Sequence, residues 1–341
     1  MLGFNMFRSA NCRRRVPCLG GTAPPTRPGH GPMLGALLAL AAAGPASAGL
    51  IFDVAFNDPG EANAEYYAAI ESHVLAAGAL WDAGIAGDAE LEVEVSFDNT
   101  TARASGRSAT SSYVSTIGSI NVFEQGTAAE INNGIDPNGP APDIQFYFNT
   151  TYLADELWFD PNPFARNASI PDDKTDALSV IVHEFAHAFG FNGWRDPFTG
   201  ELPANYMSTF DVFAVFDGAD FFFSGAEAVF LYGADVPLTY GNIYHVGNAA
   251  PRPGSDLIPD LMNGVVYDRG FRYDISALDF AMLSDAGLPI QLVAVPLPMT
   301  WTLVLVGFVA LHRHTKRKRP LSIPIRKYMS DLWTEAPKAR A

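Results

Sequence analysis

The sequence predicts an α+β fold in which a helix-and-sheet half precedes a mostly irregular half, with one apolar helix between them. Three observations support this prediction. Residues 91–97 alternate between apolar and polar side chains, which is typical of a strand with one buried face. Residues 177–189 form an apolar segment of helical length that ends at Gly190. The segment 192–263 is instead rich in Phe, Gly and Asp and contains only short apolar runs.

The first half is expected to mix helix, strand and loop. Apolar residues at near-helical spacing predict its helix, in which Gly78 is a weak point. Ser, Thr and Gly favour loop after the first strand, and three prolines favour an irregular connector before the apolar helix. In order, we predict a helix at 62–83, a strand at 91–97, a loop with short strands at 99–120, a strand at 143–148 and a connector at 158–174.

The apolar helix and the last helix carry recognisable start and stop signals. Thr175 or Asp176 can cap the first of them, and Gly190 ends it. Residues 275–285 are expected to form an amphipathic helix that stops at Gly287. We expect a cleft between the two halves, with the apolar helix at its floor.

Composition indicates a chain with a large core and an acidic body. The 341 residues are 48% hydrophobic, which suffices for a substantial core. Residues 49–294 contain 35 of the 37 Asp and Glu but eight of the 22 Lys and Arg, a net charge of −27. Such a body repels phosphate, which argues against nucleic acid as a partner. A solvated acidic surface explains this charge, and bound Ca²⁺ is the alternative.

The N-terminal segment has the pattern of a secretory signal peptide. The apolar run Met33–Ala43 is followed by Ala46-Ser47-Ala48, so residues 1–48 are the predicted signal and cleavage is expected after Ala48. Met33 is an alternative start, and a buried core helix is the alternative structure. Both cysteines, Cys12 and Cys18, precede the run, so the exported protein would contain no disulfide.

The C-terminal segment 295–319 has three parts. Val295-Pro296-Leu297-Pro298 opens an apolar stretch that ends at Leu311, and the basic cluster Arg313–Arg319 follows. Counted from Pro289 to Leu311 the apolar stretch has 23 residues, and about 20 are needed to span a bilayer. This order resembles the PEP-CTERM (Val-Pro-Leu-Pro type) sorting signals, which implies processing by an exosortase-type enzyme and an extracellular or cell-surface location. Residues 320–341 extend beyond the usual end of such signals, and a plain membrane anchor is the alternative.

A metal-binding motif lies late in the apolar helix. His183 and His187 are four residues apart, so both imidazoles project from one helix face and can reach one Zn²⁺. Glu184 lies beside them, where it can act as general base toward a water molecule. The alternative is a pair of histidines packed in a core helix.

The third metal ligand is not at the compact spacing. The run His183–Gly190 is similar to the metzincin pattern, but Gly193 stands where that pattern has its third histidine. His245 is the candidate, because the only later histidines, His312 and His314, lie in the C-terminal segment. If His245 is a surface residue, Glu201 or Asp211 would supply an acidic ligand.

The motif and the residues after it resemble the leishmanolysin-like metzincins. That family combines the motif His-Glu-x-x-His-x-x-Gly-Phe with a long insertion, a distant third histidine and a methionine turn. In this sequence the motif matches residues 183–191, the third histidine matches His245, and the methionine turn matches Met262 within Asp260–Gly264. The similarity covers about residues 175–288. It implies a two-subdomain zinc endopeptidase over 49–294, divided near 191 and 192, that hydrolyses proteins or peptides. A protein that keeps the fold and metal without turnover is the alternative, as is a narrow amidase.

Two further groups of residues are candidates for roles at or near the site. Tyr267 or Tyr244 could stabilise an oxyanion during peptide hydrolysis. An acidic group before the apolar helix could hold a structural Ca²⁺, although its spacing matches no calcium loop and a solvated acidic loop is the simpler interpretation. Its members are Asp160, Asp172, Asp173 and Asp176.

Overall fold

The computed structural model of the chain describes residues 49–291. The predicted signal peptide, the predicted sorting segment and the tail after it lie outside the described residues. Within 49–291, no helix is both long enough and apolar enough to cross a membrane.

Besides its strands and α-helices, the chain has short 3-10 helices at Ala64–Tyr66 and Ser255–Leu257. The strands are β1 (Leu50–Asn57), β2 (Ala89–Asp98), β3 (Ala104–Ser108), β4 (Ser111–Ile117), β5 (Ile120–Gln125), β6 (Ile144–Asn149), β7 (Leu157–Trp158), β8 (Thr175–Asp176), β9 (Tyr206–Ser208), β10 (Ala214–Phe216), β11 (Phe221–Phe223) and β12 (Val236–Leu238). The helices are α1 (Tyr67–Asp82), α2 (Gly126–Asn133), α3 (Thr150–Asp155), α4 (Ala177–Phe189), α5 (Ala226–Tyr232) and α6 (Ala277–Asp285).

A four-stranded mixed sheet, in the order β1-β2-β6-β3, organises the first half. β1, β2 and β6 are parallel, and β3 runs antiparallel to β6 at the edge of the sheet. The alternation in β2 buries Leu91, Val93 and Val95, as the sequence predicts. β3 therefore has one side without a neighbouring strand in this sheet.

Helices α1 and α4 pack together beside this sheet. The apolar face predicted for the first helix is buried, with Ile70, Val74 and Trp81 fully covered. The Trp81 indole N–H donates to the Val182 carbonyl at 3.0 Å, which ties α1 to α4 one residue before the histidine motif. Gly78 is more than a weak point in α1, because a Cβ there would overlap the Phe52 ring of β1.

The second half contains short elements joined by long loops. β10, β11 and β12 form an antiparallel sheet of three-residue strands, and β9 adds in parallel to the β4-β5 hairpin of the first half. One hydrophobic cluster contains buried residues from β1 through Leu288, so the two halves share a core. The part of the chain that the structure describes is therefore a mixed fold of several sheets and six helices, compatible with α+β.

Several elements differ from the sequence prediction. β1, β5 and α2 were not among the predicted elements, whereas the short strands expected within the loop 99–120 are present as β3 and β4. The last helix also begins later than predicted, at Ala277, because Ser276 caps α6 and forms a capping box with Asp279. A side-chain cap fixes that helix start more sharply than apolar spacing can.

Candidate metal centre

Helix α4 carries two of the three predicted metal ligands. The Asp176 side chain accepts a hydrogen bond from the Ser179 N–H and caps the helix, which ends at Gly190 as predicted. His183 and His187 lie one turn apart on this helix. His183 is buried, and His187 is partly exposed toward the cleft.

His245 brings a third imidazole to the same point from the second half of the chain. The Nε2 atoms of His183 and His187 are 3.1 Å apart, and the Nε2 of His245 is 3.1 Å from the first and 3.2 Å from the second. We call these three residues the histidine triangle. It could hold a metal ion.

The donor set of the histidine triangle fits one metal ion. Tetrahedral zinc with Zn–N bonds of ~2.0–2.1 Å requires donor atoms about 3.3–3.4 Å apart. The observed separations of 3.1–3.2 Å are within a few tenths of an ångström of that requirement. Among residues 49–291 the group contains three imidazole nitrogens and no fourth donor, which is the number of protein ligands in catalytic zinc sites.

Backbone carbonyls orient the two helical imidazoles. The Nδ1 of His183 donates to the Leu261 carbonyl at 2.8 Å, and the Nδ1 of His187 donates to the Phe191 carbonyl at 2.7 Å. With the proton on Nδ1, the Nε2 lone pair of each ring is free for a metal. The buried Nδ1 of His245 has no hydrogen-bond partner among the described residues.

The surroundings of the histidine triangle favour neutral imidazoles. Burial and the neighbouring His187 lower the pKa of His183 to about 3. Burial also lowers the pKa of His187, and burial with the two neighbouring rings lowers that of His245 further. Since a metal binds only the neutral ring, this environment keeps all three donors available at neutral pH.

Glu184 lies beside the triangle and contacts the edge strand β3. Its Oε2 accepts a hydrogen bond from the Gly106 N–H at 2.6 Å. Burial raises the pKa of Glu184 to about 8, and the Gly106 N–H acts in the opposite direction. Burial thus increases the affinity of this carboxylate for a proton, which suits a group that accepts and returns one.

The histidine triangle and Glu184 line an open cleft of about 360 Å³ between the two halves of the chain. Residues 102–106, on and just before β3, form one wall. The opposite wall comes from Asn242, His245 and residues 263–267. The cleft predicted between the two halves is therefore present, with α4 contributing His183, Glu184 and His187 to its lining.

The predicted methionine turn joins the two segments that carry the histidines. Met262 is fully buried. The preceding carbonyl, of Leu261, receives the His183 ring N–H, while the Met262 carbonyl accepts the N–H of Val246, the neighbour of His245. The turn thus fixes His183 and the His245 segment relative to each other.

The alternative third ligands have other environments. Glu201 is exposed, and the buried Asp211 carboxylate accepts hydrogen bonds from the N–H groups of Trp194 and Ser208. The Tyr244 hydroxyl also donates to Asp211, at 3.0 Å. Within the described residues, neither acid belongs to the cluster of metal-ligand atoms around the three histidines.

The two candidate oxyanion tyrosines use their hydroxyls elsewhere. Tyr244 bonds Asp211, as described above, and receives the Arg195 N–H at 2.7 Å. Tyr267 lines the cleft with its ring 5.4 Å from that of His183, but its hydroxyl donates to the Leu261 carbonyl at 3.0 Å. In this structure Tyr267 therefore supports the carbonyl that orients His183.

The acidic group before α4 is not a solvated loop throughout. Asp160 and Asp176 are buried, and the Arg272 guanidinium bridges them at 2.9 and 3.3 Å. Asp172 and Asp173 are exposed. A cation already stands between the two buried carboxylates, so the structure gives this group no need for Ca²⁺.

Two contributors to the site were not predicted from the sequence. Gly106 and Leu261 act through backbone N–H and C=O groups, which no side-chain motif reveals. A glycine is needed at 106 because a Cβ there would clash with the Glu184 backbone.

No protein family, curated protein or solved structure with which the chain was compared matches it.

Proposed function

We propose that this protein is a secreted zinc-dependent endopeptidase with a metzincin-like active site, in which Glu184 is the general base. The observation that carries the proposal is the convergence of three imidazole Nε2 atoms beside a buried glutamate in an open cleft. The resemblance of residues 175–288 to the leishmanolysin-like metzincins supports the same function. Export is proposed from the two terminal segments.

Zinc is the proposed metal because of the donors. Three neutral imidazoles suit zinc, copper, iron or nickel better than calcium or magnesium, and a tetrahedral site with one open position is typical of catalytic zinc. When bound, zinc supplies Lewis acidity that polarises a carbonyl and lowers the pKa of water. The ring N–H bonds to Leu261 and Phe191 hold two of the donors ready for it.

Glu184 performs the proton transfers in this proposal. Its carboxylate accepts a proton from the water that attacks the peptide carbonyl, and returns it to the leaving amine. The Gly106 N–H fixes one carboxylate oxygen at 2.6 Å, so the side chain is positioned before substrate arrives.

The edge strand β3 suits an extended peptide as the substrate. An edge strand offers backbone N–H and C=O groups to an added strand. Residues 104–106 of β3 line the same cleft as Glu184 and the histidine triangle. A peptide aligned along this wall would pass the metal centre with its backbone in reach of the reacting groups.

The test compares the wild-type chain with Glu184→Gln in zinc content and in cleavage of an unstructured protein such as casein. We expect the variant to keep one zinc per chain and to lose activity by about 10²–10⁴-fold. His73→Gln, at a buried histidine outside the triangle, serves as the control and should remain active. Zinc retention without any hydrolysis in the wild type would contradict the proposal and favour a non-catalytic binding protein.

A further inference from the structure

A second group of acidic side chains meets away from the residues that line the cleft. One carboxylate oxygen from each of Glu130, Asp136 and Asp143 lies within 4.8 Å of the others. Glu130 is in α2, Asp143 immediately precedes β6, and Asp136 is in the loop between them. We call these three residues the carboxylate cluster.

Two members of the carboxylate cluster are buried with an oxygen unpaired. Glu130 is 4% exposed and Asp143 is 1% exposed. Oε2 of Glu130 and Oδ1 of Asp143 have no hydrogen-bond partner among the described residues, although Oδ2 of Asp143 accepts the Glu92 N–H at 3.0 Å. A buried carboxylate oxygen without a partner is costly, so a bound cation that satisfies it would stabilise the fold.

The neighbours of the carboxylate cluster add further oxygen atoms. The Glu92 side chain is in hydrogen-bonding contact with Asp143, and its buried Oε2 is unpaired within the described chain. Asn138, in the same loop as Asp136, has a buried Oδ1 without a partner, while its amide N–H₂ donates to the carbonyls of Ala141 and Pro142. The unpaired polar atoms in and around the cluster are thus oxygens.

The electrostatics of the group oppose three separate negative charges. Burial, with the nearby Asp136 and Glu92 carboxylates, raises the pKa of Glu130 to about 7. Burial also raises the pKa of Asp143. Hydrogen bonds from Asp143 to Glu130 and from Glu92 to Asp143 act in the opposite direction, so these acids can share a proton, and a cation between them would compete with that proton.

We propose that the carboxylate cluster is a structural Ca²⁺ site. Ca²⁺ takes oxygen ligands at 2.3–2.6 Å, so ligands on opposite sides of the ion are about 5 Å apart, which accommodates oxygens within 4.8 Å of one another. Imidazole and thiolate, the ligands that softer metals prefer, are not in the cluster. Bound Ca²⁺ would join α2 to the start of β6 through the loop that contains Asp136.

The experiment is thermal unfolding of the full-length protein at pH 7.5 with increasing CaCl₂, and with MgCl₂ in parallel. We expect 1 mM Ca²⁺ to raise the Tm by about 3 °C or more, and Mg²⁺ to raise it less. Glu130→Gln and Asp136→Asn should remove the Ca²⁺-dependent rise. Glu71→Gln, at an exposed acid of α1, should keep it.

The outcomes distinguish Ca²⁺ binding at the carboxylate cluster from effects at the histidine triangle and from carboxyls that share a proton. Zinc content and peptidase activity report on the histidine triangle, so loss of the Ca²⁺ response with both unchanged supports the proposal. No response to Ca²⁺ in the wild type, or an unchanged response in Asp136→Asn, would overturn it. Asp136 is exposed, so this variant should fold even if Glu130→Gln does not. A Tm that rises on acidification but ignores Ca²⁺ would instead assign the cluster to carboxyls that share a proton.

Discussion

His245 is held differently from the two histidines of α4. Its N–H donates to the Asn242 carbonyl at 3.2 Å and its own carbonyl accepts the Thr239 N–H at 2.9 Å, so the backbone of a tight loop positions the ring. The two helical rings are oriented by their own Nδ1–H bonds. The third donor therefore depends on the loop being folded.

Replacement of this residue tests the proposed ligand set. We expect His245→Ala to lower zinc affinity more than about 100-fold, because even loss of a residue that only orients a ligand costs 10–100-fold. Competition with a chelator of known affinity measures the change. Asp211→Asn is the comparison. If Asp211→Asn reduces zinc affinity about 100-fold and His245→Ala does not, Asp211 is the ligand.

Arg272 illustrates how an element boundary is stabilised. It bridges Asp160 with Asp176, the cap of α4, and both carboxylates are fully buried. Arg272→Met would leave them without a counter-charge, so we expect the free energy of unfolding to fall by about 3–5 kcal/mol. Denaturant unfolding measures this change.

The matched control is Arg269→Met, which removes an exposed ion pair with Glu156. That pair should contribute no more than about 1 kcal/mol. Equal losses for the two arginine variants would contradict the assigned role of Arg272.

Asp279 links helix α6 to the turn that carries Met262. It is fully buried, accepts the Ser276 N–H at 2.7 Å, and interacts with Asp260, whose carboxylate receives the Met262 N–H. Burial, together with the Asp260 carboxylate, raises the pKa of Asp279 well above 3.8. The protonated Asp279 is thus the form that the folded protein favours.

The stability contributed by this proton has a definite pH dependence. It is fully present below the unfolded pKa of 3.8 and is lost as the pH rises through the higher folded pKa. We therefore expect Asp279→Asn to lose less stability than the wild type between pH 4 and 8, as measured by Tm at each pH. Asp217→Asn, at an exposed acid, should follow the wild type, and parallel curves for all three would refute the linkage.

At the scale of the whole molecule, a bound metal would cross-link the two halves. His183 and His187 belong to the first half and His245 to the second, and both halves share one core. We expect removal of zinc by 1,10-phenanthroline, which leaves calcium in place, to lower the Tm by more than about 5 °C, and added zinc to restore it. His245→Ala should show little response to the chelator. A Tm of the wild type that ignores zinc removal would contradict this expectation.

The parts of the site that could be predicted from the sequence are side chains at a fixed spacing. The histidines of α4 and their helix cap follow from local patterns, and His245 followed from elimination of the other histidines. The third ligand's position required the tertiary fold, since a turn at Asp260–Asn263 brings its segment to α4. The identity of the metal and the reaction remain predictions.

The features that were not predicted from the sequence depend on contacts between distant segments or on short elements. The carboxylate cluster joins a helix, a loop and a strand start, and its residues follow no familiar spacing. Arg272 meets Asp160 across 112 positions of sequence, so the acidic group looked solvated. Short strands such as β3 and β4 lack the long apolar alternation that identified β2.

The hydrogen bond between Gly106 and Glu184 has a consequence for an occupied cleft. A peptide added along β3 could compete with Glu184 for the Gly106 N–H, because this backbone donor belongs to the edge strand of the sheet. This bond lowers the pKa of Glu184, so its loss would make the carboxylate a stronger base. The affinity of Glu184 for a proton would then be higher with a substrate strand on β3 than in the empty cleft.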